Sequence, residues 1–194
     1  MAVAIVGALS WTPQLYDILR PAQLSAKLIS KFENEGTFNG RPGTLHFVKL
    51  VLCSSYQPYQ VKDLTIRIKY SDESSPRPAK WQWARFSSWT MPDGTKKTLK
   101  LQPDSFLGFR TNLPKDEAVV SYLTFFSDKR PVADFDWLEL CITQYDGTTK
   151  TIRVNQTDPG QLLFDDSIWT EAKTTRLINL ASARAVIRAR AASS

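Results

Sequence analysis

Residues 119–154 read VVSYLTFFSDKRPVADFDWLELCITQYDGTTKTIRV. Within them, Val119, Ser121, Leu123 and Phe125 alternate with Val120, Tyr122, Thr124 and Phe126. Strand side chains point alternately to two faces. Both faces here carry large apolar groups, so residues 119–126 are expected to form a central strand covered on both sides. In residues 137–145, Leu138, Leu140 and Ile142 share one face, opposed by Trp137, Glu139, Cys141, Thr143 and Tyr145. One apolar face and one mixed face mark a strand buried on a single side. Asp146-Gly147 separates this run from residues 150–154. Glycine accepts the positive φ of a tight hairpin turn, so a hairpin is expected there.

The same alternation recurs outward from this stretch. Leu64, Ile66, Ile68 and Tyr70 are expected to face in, with Asp63, Thr65, Arg67 and Lys69 facing out. Residues 45–54 (LHFVKLVLCS) form a longer apolar run, and residues 27–33 (KLISKFE) suit a first strand. Asn34-Glu35-Gly36, Asn39-Gly40 and Asp93-Gly94 are turn material. Residues 71–79, with Pro76 and Pro78, read as a loop, and residues 81–86 as a strand. Residues 103–117 look irregular, with Phe106 and Leu107 positioned to plug the end of the core. Asp165-Asp166-Ser167 is expected to cap a short helix near Ile168 and Trp169. About eight short strands with little helix between them predict an all-β fold: an antiparallel β-sandwich of immunoglobulin-like or C2-like topology, with a barrel as the alternative.

Three segments differ in character. Residues 1–20 are an apolar N-terminal segment, residues 24–170 hold the strands, and residues 171–194 form a basic tail of helical composition. Asp17 and Arg20 are the only charges in the first segment. Membrane association is the expectation, by a short span or by an interfacial helix through Trp11, Leu15, Tyr16, Ile18 and Leu19. A helix docked on the domain is the alternative, and with it a cytoplasmic location. The formal charge is +6 over 194 residues. Lys173, Arg176, Arg184, Arg188 and Arg190 against Glu171 put +4 in the tail and leave +2 for everything else. A basic tail suits anionic lipid headgroups, and the near-neutral remainder argues against nucleic acid as a partner.

Residue types also narrow the chemistry. His46 is the only histidine, lies between Leu45 and Phe47, and reads as a satisfied structural residue. On that reading, histidine-based triads and multi-histidine metal sites fall away. The chain has no nucleophile elbow, zinc-protease motif, phosphate loop or dinucleotide fingerprint, so no cofactor is implied. Cys53 and Cys141 lie in apolar runs and are expected to be core thiols, with a disulfide as the alternative. Asp134 and Asp136 flank Phe135 just before a strand and Asp165-Asp166 follow another; such pairs are usually solvated, but gathered by loops at one end of the fold they would suit calcium or acid–base work. Trp81, Trp83 and Arg85 share a strand face, with Trp89 nearby. Core filling is the expectation for them. If exposed, they are the best platform for a glycan.

Lys27-Leu28-Ile29-Ser30, Gly36-Thr37-Phe38-Asn39-Gly40, Leu113-Pro114-Lys115 and residues 162–169 (LLFDDSIW) resemble blocks of uncharacterised small bacterial proteins. In those proteins a short hydrophobic N-terminus tethers a β-sandwich. The resemblance spans most of residues 10–170, implies a tethered domain and assigns no activity; the tail has no counterpart. Together these readings predict a non-enzymatic, membrane-associated module that binds another protein. A glycan- or other ligand-binding module is the second reading, and an enzyme or calcium-dependent domain the third.

Overall fold

A computed structural model of the chain describes residues 19–38, 40–81, 89–128, 135–156, 160–161 and 166–171. Thirteen strands are assigned in these residues: β1 Gln23–Phe38, β2 Arg41–Ser55, β3 Tyr59–Gln60, β4 Asp63–Tyr70, β5 Arg77–Trp81, β6 Trp89–Thr90, β7 Lys96–Leu99, β8 Asn112–Leu113, β9 Ala118–Ser127, β10 Phe135–Thr143, β11 Thr149–Asn155, β12 Gly160–Gln161 and β13 Trp169–Glu171. The protein is all-β, and no α-helical element occurs among the described residues. The helices expected at the two termini lie outside them.

Eight strands form one continuous sheet in the order β11-β10-β4-β5-β9-β2-β1-β12. β12 joins β1 in parallel, through Ser30 and Lys31. The sheet curls until it nearly closes. Ala22, Gln23 and Leu24 lie beside Lys150, Thr151 and Ile152 and line a shallow groove with them. No strand pairing joins β1 to β11 there among the described residues.

One core fills the inside of this curl. Leu28, Val48, Leu50, Leu123 and Phe125 meet Ile66, Ile68, Leu138, Leu140 and Ile142, all 2% exposed or less. Burying each such side chain is worth about 1.5–3 kcal/mol. The alternation expected in β4 and β10 is what places them. β9 is covered on both faces from Ser121 to Ser127, as its two apolar rows require, while Val120 near its start is 46% exposed. Its outer row meets a second cluster of Phe47, Trp89, Met91, Leu99, Phe106, Tyr122, Ile168 and Trp169. A small sheet ordered β13-β7-β6 supplies much of that cover. Phe106 and Leu107 are fully buried plugs, one in each cluster.

Both Asp-Gly turns form. Gly94 and Gly147 have φ of +80° and +86°, and the β10–β11 hairpin pairs Thr143 with Thr149. Other local expectations are corrected. Residues 34–36 are strand, because Gly36 pairs with Gly43 across a hairpin whose turn lies at Gly40, φ +75°, where a turn is also expected. β5 begins at Arg77 and so includes Pro78. Proline is tolerated there because β5 pairs with β9 only from Lys80 onward, leaving the Pro78 position open on that side. Asp166–Ile168 is a single 3-10 turn, and Trp169 opens a strand because its ladder to Leu99 wins over the helix cap.

Candidate functional site

The densest cluster of chemistry-bearing side chains lies inside the curl, at the end where β4 and β9 finish. β2 alternates so that Thr44, His46 and Val48 face inward. β1 and β9 flank β2 and place Glu33 and Phe125 opposite His46. Tyr70, the last residue of β4, reaches the same point from the other half of the sheet, and Ser127 ends β9. His46 Nδ1 lies 2.9 Å from Glu33 Oε1. A carboxylate only accepts, so Nδ1 carries the proton and Nε2 is an acceptor. Nε2 lies 2.9 Å from the Tyr70 hydroxyl and 3.1 Å from Ser127 Oγ, and these hydroxyls are 2.5 Å apart. The Phe125 ring stacks on the imidazole at 4.6 Å.

Electrostatics fix the protonation states. Burial pushes the His46 pKa below its usual value, against the pull of the Glu33 carboxylate. Burial also pushes the Tyr70 hydroxyl up to about 12. Imidazole and phenol are therefore both uncharged at neutral pH. Glu33 is balanced by Lys31 at 3.5 Å.

A carboxylate, an imidazole and a serine hydroxyl in line is the order of a hydrolase relay, yet both ring nitrogens of His46 are satisfied within the core, as expected of a structural histidine. Burial decides its use. His46 and Tyr70 are 0% exposed and Ser127 is 1% exposed. A nucleophile with no open face has nowhere to hold a substrate, so the network acts as a cross-core tie between β1, β2, β4 and β9. Sequence reading found His46 but none of its partners. Tyr70 at the inward end of an apolar strand was the one available signal.

The other candidate residues are scattered. Trp89 is 1% exposed, packs 5.7 Å from Phe47 and 6.3 Å from Trp169, and its indole Nε1 has no partner among the described residues. It is core, not platform. Trp81 closes β5; its side chain, with Trp83 and Arg85, lies outside the described residues. Asp136 is exposed and bonded to Ser71 Oγ at 2.6 Å, with Lys69 Nζ at 3.5 Å. Asp166 belongs to a 3-10 turn, while Asp134 and Asp165 fall outside the described residues. Among the described residues no three acidic, histidine or cysteine side chains gather as a metal site. Leu19 is 79% exposed, and Trp11, Leu15, Tyr16 and Ile18 lie outside, as do Arg176, Arg184, Arg188 and Arg190. Cys53 and Cys141 are free and half-buried. The expected core location is corrected, because both fall on the outward rows of β2 and β10, where Cys141 accepts from Thr151 Oγ1 at 3.5 Å.

The surface offers further features, two of them at the ends of β1. One is the groove between β1 and β11. The other is a cleft of about 330 Å³ at the opposite end of β1. No protein-family model matches the chain, and no curated protein matches it in sequence.

Proposed function

We propose that the chain is a non-enzymatic interaction module, held at a membrane by its N-terminal segment, that binds an extended segment of another protein along the seam between β1 and β11. The observation behind this is that, among the described residues, β11 pairs with β10 alone, and one side of its backbone has no strand partner there. Two bonds flanking the ladder set its phase: Gln144 N–H to Thr148 O, and Gln156 N–H to Asp136 O. Antiparallel bonding alternates residue by residue. Lys150, Ile152 and Val154 therefore bond to β10, and Thr149, Thr151, Arg153 and Asn155 turn their amides and carbonyls to the seam. An unpaired edge accepts an added strand through backbone hydrogen bonds. Ala22, Leu24 and Ile152 offer apolar contacts in the groove, and Lys150 and Arg153 add positive charge. The complementary partner is an extended segment alternating apolar and acidic residues.

The strand order supports an immunoglobulin-like sandwich as the finer architecture. β1-β2-β9-β5 corresponds to the ABED order of that fold, and β4-β10-β11 to its CFG order, with β5 running on into β4. The N-terminal segment enters β1 beside the groove, so a membrane tether would hold the seam near the bilayer and favour a membrane-bound partner. No helix among the described residues is long and apolar enough to cross a membrane; the tether is assigned to residues 1–20 by their composition and by the resemblance to tethered bacterial domains.

A photo-crosslinking amino acid at Thr149 in the full chain, in its native cells, tests the proposal. A discrete adduct is expected from Thr149 and none from Asp104, far from the seam. Thr151→Pro removes one seam-facing amide without touching the β10 ladder, so it should abolish the adduct while leaving the melting temperature within about 2 °C. An adduct that survives Thr151→Pro sinks strand addition. A full chain that stays soluble on membrane fractionation sinks the tether.

A further inference from the structure

The cleft at the far end of β1 is lined by Phe38, Arg41, Pro78, Lys80, Phe126 and Asp128. It lies between the tip of the β1–β2 hairpin and the adjoining ends of β5 and β9. Phe38 and Phe126 meet at 5.6 Å, tilted by 42°, so the cleft holds two ring surfaces. Lys80 Nζ sits 5.7 Å from the Phe38 ring centroid. A cation within about 6 Å of a ring is attracted to its face. Neither Lys80 nor Arg41 has a carboxylate partner among the described residues. Asp128, the one acid of the lining among the described residues, bonds Arg77 at 2.6 Å, and Arg77 also holds Glu73 at 2.6 Å. The described lining therefore sets two cations, Arg41 and Lys80, against one carboxylate.

The backbone is fitted to this arrangement. A Cβ on Gly43 would lie 2.5 Å from the Phe126 ring and 2.1 Å from the Ser127 carbonyl oxygen. Only glycine lets β2 approach this closely and hold Phe126 in place, where it is 5% exposed and forms the floor. The volume is at the lower end of the range for small-molecule sites.

We infer that this cleft binds a small planar aromatic acid, its ring against Phe38 and Phe126 and its carboxylate or phosphate between Arg41 and Lys80. The site is independent of the seam: it shares no residue with it and lies at the other end of the sixteen-residue β1.

The test is a titration of the isotopically labelled full chain with benzoate and with phenyl phosphate, followed by amide and side-chain chemical shifts. Inorganic phosphate and benzyl alcohol separate the anion from the ring. At least one aromatic acid should saturate shifts of Arg41, Lys80 and Phe126, and whichever binds identifies the anionic group. Phosphate and benzyl alcohol should each bind at least tenfold more weakly. Arg41→Gln and Lys80→Gln should each weaken binding about tenfold with unchanged melting, because both side chains are exposed and carry no ion pair among the described residues. No saturation with either aromatic acid overturns the inference. So does equal binding of inorganic phosphate, or wild-type affinity in both variants.

Discussion

His46→Phe is the variant that separates a structural network from an inert buried histidine, and its effect should depend on pH. In the folded chain the imidazole is neutral because burial opposes its charge. In the unfolded chain it takes up a proton near the ordinary 6.5. Below that value the unfolded state binds more protons than the folded state, so stability must fall as pH falls. While the folded ring stays neutral, the limiting loss is about 1.4 kcal/mol per pH unit. From pH 7.5 to 5.5 the loss is about 1.4 kcal/mol in all, or roughly 3–6 °C in melting temperature for a domain of this size. The phenyl ring of the variant would not titrate, so this share of the slope should vanish. The variant should also be less stable at pH 7.5 by about 1–3 kcal/mol. Glu33 would lose its buried donor and keep Lys31, while Tyr70 and Ser127 would keep each other. Asp93 and Asp146 do not confuse the reading, because hydrogen bonds from Thr95 and Thr148 hold their carboxyls below the usual carboxylate value. Urea melts of both proteins at half-unit pH steps supply the test. Wild-type and variant curves that run parallel from pH 7.5 to 5.5 would refute the assignment of the slope to His46.

Two glycines should fail for different reasons. Gly43→Ala forces a Cβ against the Ser127 carbonyl and the Phe126 ring; overpacking of this kind costs about 1–3 kcal/mol, and the aromatic-acid affinity of the cleft should fall with it. Gly147→Ala meets no atom within 4 Å but must hold φ near +86°, which costs about 1–2 kcal/mol and should leave the cleft untouched. Urea midpoints with unchanged slope measure the two costs.

The strands were legible where side-chain alternation was strict. β4 and β10 each bury one row, and the double coverage of β9 followed from its two apolar rows. Turn chemistry worked where Asp-Gly stood between apolar runs and failed at Asn34-Glu35-Gly36. There the long β1–β2 ladder overrides local preference, and glycine serves the close passage opposite Gly43. The helix expected near Ile168 failed similarly, because pairing with β7 is a contact at long sequence range. The network was almost illegible. Glu33, Tyr70 and Ser127 stand 13, 24 and 81 residues from His46, and nothing local marks them as neighbours. The seam was equally hidden, since an unpaired edge is a property of sheet order, not of any one segment.

β1 joins the network and the seam, yet it is built to keep them apart. Its register to β2 shifts between Leu28 and Ser30, where Ile29 is the extra residue. A bulge lets one part of a strand twist or shift without carrying the rest with it. Beyond the bulge, β1 is held by Glu33 to His46 and by β12 at Ser30 and Lys31. Before it, β1 pairs with β2 alone among the described residues and borders the groove. A partner strand entering the groove therefore works against the weakly held half and leaves the tied half in place. The two functions should be energetically separable. The stability losses of His46→Phe and Thr151→Pro should add within about 0.5 kcal/mol, as they do for sites that share no partner. A coupling well above that would mean that the seam opens only when the network yields, making the buried histidine part of partner recognition.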